Sequence, residues 1–453
     1  MKVHFIAIGG SAMHNLAMAL HNKGYEVTGS DDQVFDPARS RLEKLGLLPA
    51  AEGWFPNKIG EDLDAIILGM HAREDNPELL KAQELGLSIF SYPEYLYDQA
   101  KDKKRIVIGG SHGKTTITAM ILHVLHFHNV DCDYMVGAQL EGFDTMVRLT
   151  DDAPIAVFEG DEYLSSPIDR RPKFHLYQPH IALLSGIAWD HINVFPTFEN
   201  YVEQFDIFVD QLPEGGVLAY CQADPELISV VERSSTGAEK IPYGVPKHRI
   251  QDGRTSLLDD DGSVLAELSV FGDHNLMNLN GARIICNQIG VSDAEFYKAI
   301  GSFSGASKRM EKIGESEQTV IYKDFAHSPS KVKATVDAFK KQFKERELIA
   351  CLELHTFSSL NETFLKEYKG SLDSADLPMV YYSPDTIAHK KLAPISPAQV
   401  GSAFTNANVQ VFTNSSDLFS SIPVLDNKKR VVLLMSSGNF DGMDLSEVAT
   451  GLF

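Results

Sequence analysis

Residues 106–125, IVIGGSHGKTTITAMILHVL, hold the densest chemistry in the chain. A β-branched apolar run breaks into Gly109 and Gly110, gives Gly113, Lys114, Thr115 and Thr116, then resumes as an apolar stretch at helical spacing. A strand feeding a glycine turn at a helix start aims backbone N–H groups and the positive helix end at one point, which suits a phosphate. In such a loop the lysine neutralises the terminal phosphates and the first hydroxyl reaches Mg²⁺. Ile108 stands where the longer pattern has its first glycine. The loop is therefore read as a shortened nucleoside-triphosphate loop, Gly110-x-x-Gly113-Lys114-Thr115-Thr116, with His112 inside it.

Mg²⁺ requires hard ligands from neighbouring strand ends. APIAVFEGDEY closes one apolar run at Glu159, and HIALLSGIAWDHINVF closes another near Asp190 and His191. A carboxylate there is otherwise a solvated turn and a histidine otherwise a packing residue; the phosphate loop favours the metal reading. GDHNLMNLNGA gathers His274, Asn275 and Asn278 at a helix start, either to frame a purine or to cap the helix. The N-terminal AIGGSAMHNLA has the look of a dinucleotide-binding turn around Gly10, with Ala7 and Ala12 where glycines would help. Asp31 ends the second strand, where a ribose-binding acid is expected. Two nucleotide sites point to a triphosphate-driven reaction on a nucleotide-linked substrate.

The elements that must position these residues alternate strand and helix, which predicts α/β architecture with largely parallel sheets. Three blocks are expected: 1–103, closed by the charged linker DQAKDKKR; 104–304, opened by the phosphate loop and turn-rich between about 212 and 275; and 305–453, opened near TVIYKDFAHSP. Lys plus Arg total 41 against 62 Asp plus Glu, a net charge of -21, which argues against nucleic-acid binding. Polyanions must then be held by backbone amides and single lysines. The four cysteines are scattered, as in reduced cytosolic chains. No run has the length of a membrane span or a signal peptide, so a cytoplasmic protein without a membrane partner is expected.

Together, GGSHGKTT, Glu159, DH at 190–191, GDHNLMN, SKRME and DFAHSP resemble the motif series of the Mur ligases, ATP-dependent amide ligases of bacterial cell-wall synthesis. The resemblance covers essentially the whole chain. It implies a Rossmann-like UDP-sugar domain, a central phosphate-loop ATPase domain and a Rossmann-like C-terminal domain for the incoming amino compound. It places Gly110, His112, Gly113, Lys114, Thr115 and Thr116 on the ATP phosphates, and His274, Asn275 and Asn278 at the adenine. Thr115, Glu159 and His191 fall at the Mg²⁺, Arg309 near the phosphates, and Asp324 with His327 at the DFAHSP motif, where the acid meets the ribose. Gly10, Ser11, Met13, Asp31 and His71 match UDP-sugar contacts. Lys114, His191 and Arg309 are the catalytic candidates, and the amine's base is His191 or His327.

Two branches of that family act on UDP-N-acetylmuramic acid itself. One adds L-alanine; the other reattaches the tripeptide L-Ala-γ-D-Glu-meso-diaminopimelate. EGDEYLSSPIDRRPKF is similar to the tripeptide branch, whose acidic motif leads into a D-[KR]-R-x-K-F stretch. His355, with Ser358 at the peptide site, is closer to the alanine branch. Gly186 stands where the family usually has Asn, which leaves open a non-catalytic protein that senses UDP-sugar and ATP. A monomer or homodimer is expected.

Overall fold

The segment KRIVIG becomes a strand, Lys104–Gly109, because its β-branched residues are buried on both faces between parallel neighbours. Each buried Ile or Val there stabilises the fold by roughly 1.5–3 kcal/mol. The computed structural model describes residues 1–189, 194–251, 253–305, 310–405, 408–423 and 428–452. The chain forms two compact units, Met1–Val245 with Met277–Ile300, and Pro246–Leu276 with Gly301–Phe453.

The first unit holds two sheets. Four parallel strands run in the order Glu26–Ser30, Lys2–Ile6, Ala65–Leu68, Ile89–Ser91. Seven strands run Glu239–Tyr243, Val217–Cys221, Ile181–Leu184, Lys104–Gly109, Ile155–Glu159, Asp133–Met135, Val147–Arg148, with only the last antiparallel. Ile108 lies opposite Glu159 and Gly109 opposite Leu184. That register delivers the phosphate loop, the acidic motif and the loop after Leu184 to one carboxyl edge, where open α/β sheets bind ligands.

The charged stretch expected as a linker is pinned down instead. Buried Lys103 donates to Asp133 and to the Thr150 carbonyl, both at 2.5 Å. Arg105 donates to the carbonyls of Ala100, Lys101, Lys103, Tyr177 and Gln178. These two charges look like solvated linker composition, yet both are buried against partners, while Lys101, Asp102 and Lys104 between and before them are exposed.

In the second unit five parallel strands, Thr319–Asp324, Arg430–Met435, Glu347–Leu354, Leu377–Tyr382 and Gln410–Phe412, carry Glu311–Glu315 antiparallel on one edge. The stretch expected as turn-rich contains an antiparallel sheet, His248–Gln251, Arg254–Leu258 and Val264–Leu268. It belongs to this unit because buried Thr255 donates to Gln342 Oε1 at 3.0 Å and Gln342 donates back to the Gly253 carbonyl at 2.7 Å. Phe271 adds edge-to-face contacts with Tyr322, Phe339 and Phe343. No helix among the described residues is long and apolar enough to cross a membrane.

Candidate active site

Gly110 and Gly113 take φ of +113° and +80°, the left-handed region that glycine enters without a Cβ penalty. Gly113 then caps the helix Lys114–Phe127. A Cβ on Gly113 would lie 2.5 Å from Asn278 Oδ1, so the Asn278 amide, expected at the adenine, abuts the phosphate loop. Lys114 Nζ donates to the Gly110 carbonyl at 2.8 Å and pairs with Glu162 at 2.5 Å. Burial pulls the Lys114 ammonium down, but Glu162, Asp161 and Glu159 outweigh it and leave its pKa above the ordinary value. Thr116 is buried on the same first turn, and the His112 carbonyl accepts from Ser185 Oγ.

Glu159 accepts from Thr115 Oγ1 at 2.8 Å and from Gly137 N–H at 2.7 Å. Burial raises its carboxyl pKa, against the opposing pull of Lys114 and those two donors. Thr115 and Glu159 offer two hard oxygens beside the loop. Mg²⁺ is usually held by one or two carboxylates with phosphate oxygens and water, so this donor set fits it. Among the described residues no group of three His, Cys, Asp or Glu forms a cage of its own. His191 and Asp190, and Arg309 in the second unit, lie outside the described residues.

Three participants were not read from the sequence. Glu162 is the direct partner of Lys114, and its place three residues after Glu159 was the available signal. Tyr201 donates to Glu162 at 3.0 Å and sits 2.8 Å from Ser111 Oγ, which accepts from Ala188 N–H at 2.8 Å. Asp224 stands beside Gly186, the position where a side chain was missed: it accepts from Ile187 N–H at 2.6 Å and caps the next helix through Leu227 N–H at 3.0 Å. Gly186 has φ +145°, and a Cβ there would be 3.0 Å from Asp224 Oδ2.

In the second unit, Asn275 donates to the Phe271 carbonyl at 3.0 Å and to Met310 Sδ at 2.7 Å, while Met310 N–H donates to Asp324 Oδ2 at 2.8 Å. Two of the residues expected at the nucleotide, Asn275 and Asp324, therefore meet around Met310. His274 lies against Gly272, where a Cβ would be 3.2 Å from its Cε1. His327 Nδ1 donates to the Phe325 carbonyl at 2.8 Å. His355 follows the strand Glu347–Leu354 and faces buried Glu353 at 3.5 Å; Ser358 is exposed in the turn beyond. Glu353 also accepts from Phe440 N–H at 2.9 Å.

The N-terminal loop is built differently. Gly10 caps the helix Ser11–Asn22 with φ −57°, Ser11 is exposed and Met13 buried. Asp31 Oδ2 accepts from Gly9 N–H at 2.6 Å, so the acid holds its own glycine loop. Burial, with neighbouring Asp32, raises its pKa to about 6, despite the Gly9 and Gln33 N–H groups. His71 is exposed in a separate turn.

Three family descriptions match in chain order: Mur ligase family, catalytic domain, over residues 2–104; Mur ligase middle domain, over 108–286; and Mur ligase, glutamate ligase domain, over 308–438. The UDP-N-acetylmuramate--L-alanine ligase of Sulfurihydrogenibium sp. (strain YO3AOP1) is 32% identical over 389 residues, 84% of this chain and 82% of that protein. The UDP-N-acetylmuramate:L-alanyl-gamma-D-glutamyl-meso-diaminopimelate ligase from Neisseria meningitides is 25% identical, with a TM-score of 0.60, over 67% of this chain and 98% of that one. A UDP-N-acetylmuramate-alanine ligase from Thermotoga maritima shares the fold at a TM-score of 0.70 and 19% identity, over 100% of this chain and 98% of that one.

Proposed function

The chain belongs to the Mur ligase family of ATP-dependent ligases, and we propose that it joins the amine of L-Ala-γ-D-Glu-meso-diaminopimelate to the lactyl carboxylate of UDP-N-acetylmuramic acid. The carboxylate attacks the γ-phosphate of ATP, releasing ADP and giving an acyl phosphate, and the amine then attacks the acyl carbon to form the amide as inorganic phosphate leaves. Such a transfer depends on positioning and on charge stabilisation. Lys114 holds its positive charge at the loop, oriented by the Gly110 carbonyl and Glu162, and the loop N–H groups bind phosphate oxygens. Thr115 and Glu159 would hold Mg²⁺, which would screen the phosphate charge when bound. His191 or His327 takes the amine proton.

The acceptor rests on one observation. Lys173, of the DRRPKF stretch, pairs with Asp161 of the acidic motif at 2.6 Å, which sets the basic stretch against the motif that holds Lys114. Arg170 is exposed beside it, while Arg171 is drawn to Asp169 at 2.6 Å and Glu94 at 3.1 Å. An acceptor with several carboxylates suits such a flank better than alanine does. L-alanine is the second reading, favoured by His355 and by the relative of that name at 32% identity. The sensor reading rested on Gly186, and Asp224 now supplies a loop contact there.

Phosphate release with ATP, Mg²⁺ and UDP-N-acetylmuramic acid, offering tripeptide and L-alanine separately, tests the proposal. Release with tripeptide alone is expected. Release with L-alanine alone assigns the second reading, and release with neither overturns both.

A further inference from the structure

The second unit contains a cavity of about 760 Å³, the size of a small-molecule site, that none of the residues assigned above lines. One wall is the three-stranded sheet at Ile250, Gly253 and Arg254; the other is the edge of the six-stranded sheet and the end of helix Pro329–Gln342. Among the described residues, six cations line it, Arg254, Lys312, Lys341, Lys344, Arg346 and Lys429, against the two carboxylates Glu315 and Glu345. In a chain of net charge -21 this is a local reversal of sign.

Internal pairing accounts for only part of that charge. Lys312 is held by Glu315 at 2.5 Å and Lys341 by Asp273 at 2.7 Å. Arg254, Lys344 and Lys429 enter no ion pair among the described residues. Arg346 is half-buried, and its Nη1 donates to two backbone carbonyls, Gln318 at 3.0 Å and Arg430 at 3.3 Å. Carbonyls orient the guanidinium without cancelling its charge, which leaves a fixed fork of the kind that grips phosphate. The apolar side is aromatic, Tyr322 and Phe343 with ring centroids 6.0 Å apart.

We propose that this cavity binds a small polyphosphate anion on Arg254, Lys344, Arg346 and Lys429, with Tyr322 and Phe343 receiving the base when the anion is a nucleotide. The site is separate from the phosphate loop, and its existence does not depend on the acceptor chosen above.

Lysine acetylation of the full-length protein, followed by peptide mass spectrometry with and without inorganic tripolyphosphate, tests it. Acetylation of Lys344 and Lys429 should slow by about fivefold or more, because several cations share one polyanion. Exposed Lys366 and Lys369, elsewhere in the same unit, should react unchanged. In Arg254→Glu/Lys429→Glu the protection of Lys344 should vanish while ATP-dependent turnover stays at the wild-type rate. Unprotected Lys344 and Lys429 in the wild type would overturn the proposal by themselves, and so would equal protection of Lys344 in the double variant. GTP separates the two sources: protection at about tenfold lower concentration than tripolyphosphate reports base stacking, and protection at equal concentration overturns the aromatic clause.

Discussion

Two loops in the first unit begin alike, AIGGSAMHNL after the first strand and VIGGSHGKTT after the strand Lys104–Gly109, and they finish as different devices. In the second, glycines with left-handed φ clear space for a lysine held by the Gly110 carbonyl and Glu162, and the nearby carboxylates Glu159 and Glu162 are each tied to a loop residue. In the first, the N-terminal glycine sits at an ordinary φ, the loop has no lysine, and its acid is spent on the Gly9 N–H. Glycine spacing builds a place for a phosphate; the charge set beside it decides whether phosphate chemistry follows.

The sharpest break of this comparison is Lys114→Ala. By analogy with loss of one oxyanion donor, roughly 2.7–4 kcal/mol, turnover should fall by about 100-fold or more with the circular dichroism spectrum unchanged. Turnover near the wild-type rate in a folded variant would remove the loop from the reaction.

The glycines themselves come next. Gly110→Ala places a Cβ 2.8 Å from the Ser185 backbone nitrogen at φ +113°, a strain of about 1–3 kcal/mol that should lower Tm. Gly10→Ala, at φ −57° with its nearest neighbour 3.4 Å away on Met13, should stay within about 0.5 kcal/mol of the wild type. Equal losses would mean that the two turns are built alike after all.

A smaller effect is expected at the metal position. Glu159→Gln keeps one carbonyl oxygen for the Gly137 N–H and presents its amide N–H to the Thr115 hydroxyl, but removes the charge, and the Mg²⁺ concentration for half-maximal turnover should rise by about tenfold. An unchanged Mg²⁺ dependence would dissociate Glu159 from the ion.

The smallest prediction concerns Asp31. Its folded pKa, raised to about 6 from 3.8, means that the folded state holds this proton more tightly than the unfolded chain does. The stability it contributes is complete below about pH 4 and is lost as pH rises through about 6. Asp31→Asn should flatten that fall in urea titrations across the window. A slope identical to the wild type would show that Asp31 does not set it.

The phosphate loop was legible because its information is local: a strand, glycines, a lysine and a helix within twenty-odd consecutive residues. Thr115 and Glu159 were legible as a pair because parallel strands end at the same edge. Tyr201 and Asp224 were not: Tyr201 reaches the phosphate loop and Asp224 the loop after Leu184, each from a distant helix, and in sequence they look like an ordinary core tyrosine and an ordinary helix cap. Residues 246–276 fall within the central block by sequence and within the middle-domain match that runs to residue 286, yet Thr255, Phe271 and Gln342 group them with the second compact unit, through contacts that no local pattern shows. Lys103 and Arg105 misled for the same reason, their burial being supplied by carbonyls and a carboxylate that patterning does not reveal.

The central claim, that the Lys114 loop activates a carboxylate as an acyl phosphate, is tested most directly by oxygen transfer. UDP-N-acetylmuramic acid labelled with ¹⁸O in its lactyl carboxylate would be turned over with ATP and the tripeptide, and the released phosphate weighed by mass spectrometry. The account predicts one labelled oxygen in each phosphate; unlabelled phosphate, with product still formed, would contradict it.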